Sequence, residues 1–256
     1  MLLTPLEQFQ IISVFPIKFF CLDFSFTNLL LINIIVLFFL GFIFYFVSSG
    51  TELSGRSFFF VPSVWQTFFE MVYDTVSQLV YDNLNSVGEK YLPYISTLFV
   101  FILFNNLIGL IPYSFTVTSH LIVTFTLSLS IFIGVVIIGC QRHKINMLSV
   151  FLPANTSFFL ALLLVPIELI SYIFKPISLG VRLFANLMAG HTLLKVIVGF
   201  AWGLLMLEDV MAVLHVVPLL ILVLLMGLEL GVALIQAYVF TVLTCIYLND
   251  SINLSH

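Results

Sequence analysis

Six polar or ionisable side chains lie inside runs that are otherwise apolar, and their types suit the movement of protons. Arg182, Asn186 and His191 fall within LGVRLFANLMAGH (residues 179–191), Glu229 and Gln236 lie on the last apolar run, and Glu168 precedes the arginine by fourteen residues. An arginine at the centre of an inserting helix costs about 2.5–3.5 kcal/mol, so a partner or a function must offset it. Two readings are open: a structural ion pair with Glu168 or Glu229, or a charge that acts on something crossing the membrane. At about 100° per residue Asn186 stands one turn beyond Arg182 on the same side, while His191 is turned about 180° away. Glu168 returns to within about 40° of the arginine face but sits about 21 Å along the axis, near one end of the membrane. Glu229 and Gln236, seven apart, superpose on one face, with Glu229 near the middle of its segment. Imidazole titrates near neutrality, and chains of carboxylate, imidazole and water inside membranes mark proton routes. Taken alone, a buried histidine is more often structural, and Asn186 and Gln236 read equally well as helix-packing groups.

The composition excludes several other chemistries. Of the 256 residues 62% are hydrophobic and 8% charged, with mean hydropathy +1.23. A water-soluble domain carries roughly 25% charged residues, so this chain belongs in a bilayer. Twelve acidic residues against eight basic ones, with no basic tract, argue against a nucleic-acid partner. Cys21, Cys140 and Cys245 lack metal or redox spacing and read as small apolar residues, so no metal and no cofactor is expected. There is no HExxH, GxSxG or Walker loop, and no pair of haem-ligand histidines on facing spans. The first twenty residues read as neither a signal peptide nor an Arg-rich transit peptide.

The elements that must position these residues follow from run lengths. A spanning helix needs about 20 apolar residues. After an N-terminal segment (1–28), a first span is expected over 29–47 and a two-span hairpin over 92–139. Between them, 62–86 is too polar to span; Trp65, Phe68, Phe69, Val72, Val76, Leu79 and Val80 recur at helical spacing, opposite Glu70, Asp74, Gln78 and Asp82. This predicts an amphipathic helix on the membrane surface or against a partner's soluble surface. From 156 to 248 the apolar pattern hardly breaks. Its two runs would be about 75 Å and 57 Å long as helices, too long for perpendicular crossings, with Pro166 and Pro176 able to kink the first. Fitting the second run into the hydrocarbon unbroken needs a tilt near 60°, beyond the usual range of about 0–40°. Either two broken pairs of spans or one steeply inclined hairpin satisfies the lengths. Arg56 and Lys90, then Arg142 and Lys144, mark alternate loops, which puts the N-terminus outside and the C-terminus inside after five passes. No repeat or linker divides the chain, so residues 1–256 are expected to form a single membrane domain.

SLGVRLFANLMAGHTLLKV and LELGVALIQAYVFTVLTCIYLND resemble subunit a of the F-type ATP synthase, as do LFNNLIGLIPYSFTVTSH and PIELISYIFKPISLG. The resemblance runs from about residue 60 onward, and PLEQFQI near the start is similar to mitochondrial and plant-like members. It implies an all-α membrane protein whose two long C-terminal segments form a steeply tilted hairpin against a rotating ring of c subunits. It also implies an outer proton half-channel near Glu229 and His191, an inner one near Glu168, and Arg182 separating the two. Asn186 and Gln236 would position Arg182 or line the channels. Many bacterial members carry Glu where this chain has His191 and His where it has Glu229; the exchange is similar to mitochondrial and alphaproteobacterial members. The implied partners are the c ring, the peripheral stalk, other membrane-sector subunits and lipid, with no ATP chemistry on this chain. The implied location is the mitochondrial inner membrane, or an alphaproteobacterial plasma membrane. The competing reading is a proton-pumping or structural subunit of a respiratory complex, which should copurify with redox cofactors.

Overall fold

Six α-helices form the body of the protein in a computed structural model that describes residues 7–19, 22–52, 64–111, 114–144, 158–206 and 216–253. They are α1 (Asn28–Glu52), α2 (Val64–Leu84), α3 (Leu92–Gly109), α4 (Leu121–His143), α5 (Phe158–Leu205) and α6 (Val216–Ile252). The helices α3 to α6 are long and apolar enough to cross a membrane, and α1 contributes a shorter apolar stretch, Asn28–Phe42. The chain is thus an all-α membrane protein in its body. Arg56 and Cys21 lie outside the described residues.

The long C-terminal runs are continuous. The 48 residues of α5 include Pro166 and Pro176 without ending there, and α6 extends for 37 residues. Two broken pairs of spans are therefore not what the sequence forms. Proline is tolerated in a spanning helix when neighbours restore the lost backbone bonds. The two helices run antiparallel, since Lys175 meets Asp250 while Asn186 meets Gln236. Against α4 the direction also reverses, with the Phe132 and Tyr172 rings 5.0 Å apart.

Burial sets the rotation of α5. Leu179, Leu183 and Leu187, four apart, are all but fully buried, so this stripe faces the bundle and Val181, Arg182 and Ala185 are turned outward. Gly180 lies against α4 so closely that a Cβ there would stand 2.7 Å from Ser128 Oγ and 3.1 Å from the Phe125 Cα. Small residues let backbones approach, which drives association where lipid removes the hydrophobic advantage. On α6, Ala233, Ala237 and Phe240 are fully buried.

Two regions differ from expectation. The apolar stripe of α2 does not wait for a membrane or a partner along its whole length: Val76, Leu79, Val80 and Leu84 are buried in the chain's own core, against α3 and α6. The predicted periodicity is present; its C-terminal part covers the chain's own core, while Phe68 nearer the start of α2 stays 52% exposed. The side chain of Trp65 lies outside the described residues. The N-terminal segment holds two small antiparallel ribbons, Ser13–Phe15 with Phe26–Thr27 and Lys18–Phe19 with Leu22–Asp23. Short β-branched and aromatic runs interrupted by Pro16 favour such pairing over a helix.

The ends of the bundle sort by sequence. His120 Nε2 lies 3.0 Å from the Phe9 carbonyl oxygen at one end, and His143 Nε2 lies 2.9 Å from that of Ile252 at the other. The N-terminal segment thus shares an end with the α3–α4 turn, and the last turn of α6 shares the opposite end with the close of α4.

Candidate functional site

The antiparallel crossing of α5 and α6 brings four of the six predicted residues together as two pairs. His191 Nδ1 and Glu229 Oε1 are 3.4 Å apart, with both side chains largely buried. That is ion-pair reach but long for a hydrogen bond. Both carboxylate oxygens of Glu229 and Nε2 of His191 are buried without a hydrogen-bond partner. Two turns along, Asn186 Nδ2 donates to Gln236 Oε1 at 2.9 Å, while Gln236 Nε2 is buried and unbonded. The seven-residue spacing on α6 indeed places Glu229 and Gln236 on one buried face.

Gly190 makes the first pair possible. A Cβ at this position would stand 2.8 Å from Glu229 Oε1 and 3.2 Å from its Cδ, so the carboxylate occupies the space a side chain would take. Sequence reasoning did not single out Gly190. A glycine inside a long helix, adjacent to a titratable residue, was the available signal.

Arg182 stands apart from both pairs. It is exposed on the outside of the bundle, and among the described residues it forms no ion pair. Glu168 is fourteen residues earlier on the same helix, about 21 Å away along its axis. Glu229 is engaged with His191 instead. The structural ion pair with Glu168 or Glu229 is therefore not formed.

Further buried polar groups lie on α3 and at the turn entering α4. Asn106 Nδ2, on α3, donates to the Ala233 carbonyl at 3.3 Å, one turn beyond Glu229, while its Oδ1 is buried and unbonded. Asn105 Oδ1 and the hydroxyls of Thr116, Thr118 and Ser119, at the turn entering α4, are likewise buried without partners. Buried polar atoms in native proteins are almost always satisfied, by ordered water where protein is lacking. Paired asparagines inside an apolar span were the sequence signal. Among the described residues no cluster of His, Cys, Asp or Glu could hold a metal.

Known proteins resemble the chain over nearly its full length. The ATP synthase A chain family profile matches residues 29–249. ATP synthase subunit a of Pylaiella littoralis is 51% identical over 249 residues, covering 97% of this chain and 98% of that one. The proteins of the same name from Chondrus crispus and Marchantia polymorpha are each 49% identical, over 98% of this chain and 96% and 98% of theirs. On the match over residues 29–249 and on these identities, the chain belongs to the ATP synthase subunit a family, the proton-translocating subunit of the membrane sector.

Proposed function

We propose that the chain carries protons to and from a ring of c subunits through two offset half-channels, with Arg182 as the electrostatic gate between them. The observation that carries this reading is the position of Arg182: a permanent cation on the outer face of a membrane helix, unpaired within the described residues. Burying such a charge against lipid alone is expensive, so it calls for an anionic partner, which the described residues do not supply. A carboxylate on a passing c subunit meets that need.

The remaining residues divide by side. From the outer surface, protons follow the polar groups at Thr116, Thr118, Ser119, Asn105 and Asn106 to the His191–Glu229 pair, where a carboxylate and an imidazole can exchange a proton after a small side-chain rotation. From there the proton passes to the ring carboxylate, which then rotates away neutral. On the inner side the ring carboxylate releases its proton toward Glu168. Arg182 favours the ionised form of the arriving carboxylate, and its charge repels a proton that would cross directly between the half-channels. Lysine is a poor substitute, because a desolvated amine can surrender its proton and arginine does not. The Asn186–Gln236 bond ties α5 to α6 beside the gate and holds the arginine's turn in place. The membrane potential supplies about 2.3 kcal/mol per charge per 100 mV, and ATP is made elsewhere in the complex. On this reading the chain sits in the mitochondrial inner membrane with the c ring, the peripheral stalk and other membrane-sector subunits as neighbours, five passes deep.

The test is a set of charge-neutralising variants in the assembled complex. Arg182→Ala should abolish coupled synthesis and admit passive proton leak in vesicles, and Arg182→Lys should also fail. Adding Glu168→Gln or Glu229→Gln to Arg182→Ala should not restore coupling. Recovery in either double variant would mean that Arg182 is a salt-bridge partner and the gate is elsewhere.

A further inference from the structure

Lys175 lies between Glu168 and Arg182 on α5, seven residues from each, so the three share one stripe about 10.5 Å apart. An ammonium there is a second cation beside the arginine, in the middle of the route that protons take toward Glu168. The structure does not leave it free. Lys175 Nζ is 2.9 Å from Asp250 Oδ2 on the last turns of α6. It also lies over the rings of Tyr172 and Tyr247, 5.4 and 5.1 Å from their centroids. The pair therefore sits two helical turns from Arg182 along α5.

We propose that Asp250 is a positioning residue for proton exit: it neutralises Lys175 and draws it toward α6, so that Arg182 is the one uncompensated cation on the stripe leading to Glu168. This rests on the reading of Glu168 as the inner route. An unpaired ammonium about 10 Å from a transferring proton, at an effective dielectric near 20, lowers the proton's occupancy there about tenfold. Pairing with Asp250 removes most of that repulsion. The two flanking rings hold the ammonium in place while it is paired.

The assay is passive proton flux and ATP synthesis in vesicles carrying the complex assembled with this chain. Asp250→Asn should slow both about five- to tenfold, from the repulsion worked above. Asp250→Glu, which keeps the charge, should run near the wild-type rate. Removing both charges in Lys175→Met/Asp250→Asn should restore flux to within about twofold of wild type, because no cation is left to neutralise. A double variant as slow as Asp250→Asn would make the pair a mechanical clamp and overturn the proposal. So would Asp250→Asn at the wild-type rate, or Asp250→Asn that fails to assemble while the double variant assembles. Glu168→Gln separates the two levels of the argument. Wild-type flux in that variant removes the inner route itself, whereas slow Glu168→Gln with normal Asp250→Asn removes only the assignment to Asp250.

Discussion

Replacing Gly190 with Ala should separate the stability of the helix pair from its proton chemistry. The added Cβ would stand 2.8 Å from Glu229 Oε1, where ordinary contact begins at 3.4 Å, so the carboxylate must retreat by about 0.6 Å. That atom is the far end of a flexible side chain, and its retreat costs little in packing. Alanine also favours helix over glycine by roughly 0.5–1 kcal/mol, so the complex should assemble as well as wild type or better. The proton route is affected differently. The His191–Glu229 separation is already 3.4 Å, and a further displacement takes it beyond useful contact. Misplacement by about 1 Å can cost about a hundredfold in a transfer step, so a shift of this size should cost about tenfold. The assay is proton-driven ATP synthesis in vesicles, beside the thermal stability and subunit content of the purified complex. Wild-type flux in an intact Gly190→Ala complex would refute the inference that protons pass between His191 and Glu229.

Gly180→Ala should behave in the opposite way: its Cβ meets Ser128 Oγ at 2.7 Å and backbone atoms of α4 at 3.1 Å, which cannot simply swing aside. Destabilisation of about 1–3 kcal/mol is expected, read as a lower melting temperature of the complex, with residual flux in proportion to what assembles. Glu229→Gln and His191→Ala should each sharply reduce coupled synthesis while assembly persists; normal flux in both would make the pair structural. Cysteines placed at the exposed positions Leu121 and Gln141, at opposite ends of α4, should label with an impermeant reagent from opposite sides, and labelling of both from one side would sink the five-pass topology.

Composition and run length alone disclosed a helical membrane protein, because hydrocarbon thickness sets how long an apolar run must be. They also showed that the last two runs exceed a simple crossing. The type of each polar residue inside those runs was equally legible, since an intramembrane Arg, Glu or His is too costly to be incidental. Spacing could place Glu229 and Gln236 on one face, but it could not say which neighbour that face meets. That depended on the rotation of α5, which the burial of Leu179, Leu183 and Leu187 decides, and which turns Arg182 outward while setting Asn186 against Gln236. The continuity of α5 through Pro166 and Pro176 was likewise a tertiary matter, because neighbouring helices determine whether a proline bends a spanning helix or ends it. Local pattern gave α2 its apolar stripe, yet only the packed bundle supplied α3 and α6 as the surface beneath it. The roles of Gly190 and Asp250 were invisible along the chain for the same reason. Each depends on a residue from the other helix of the pair, 39 and 75 positions away in sequence, and contacts across that distance are made by packing rather than by period.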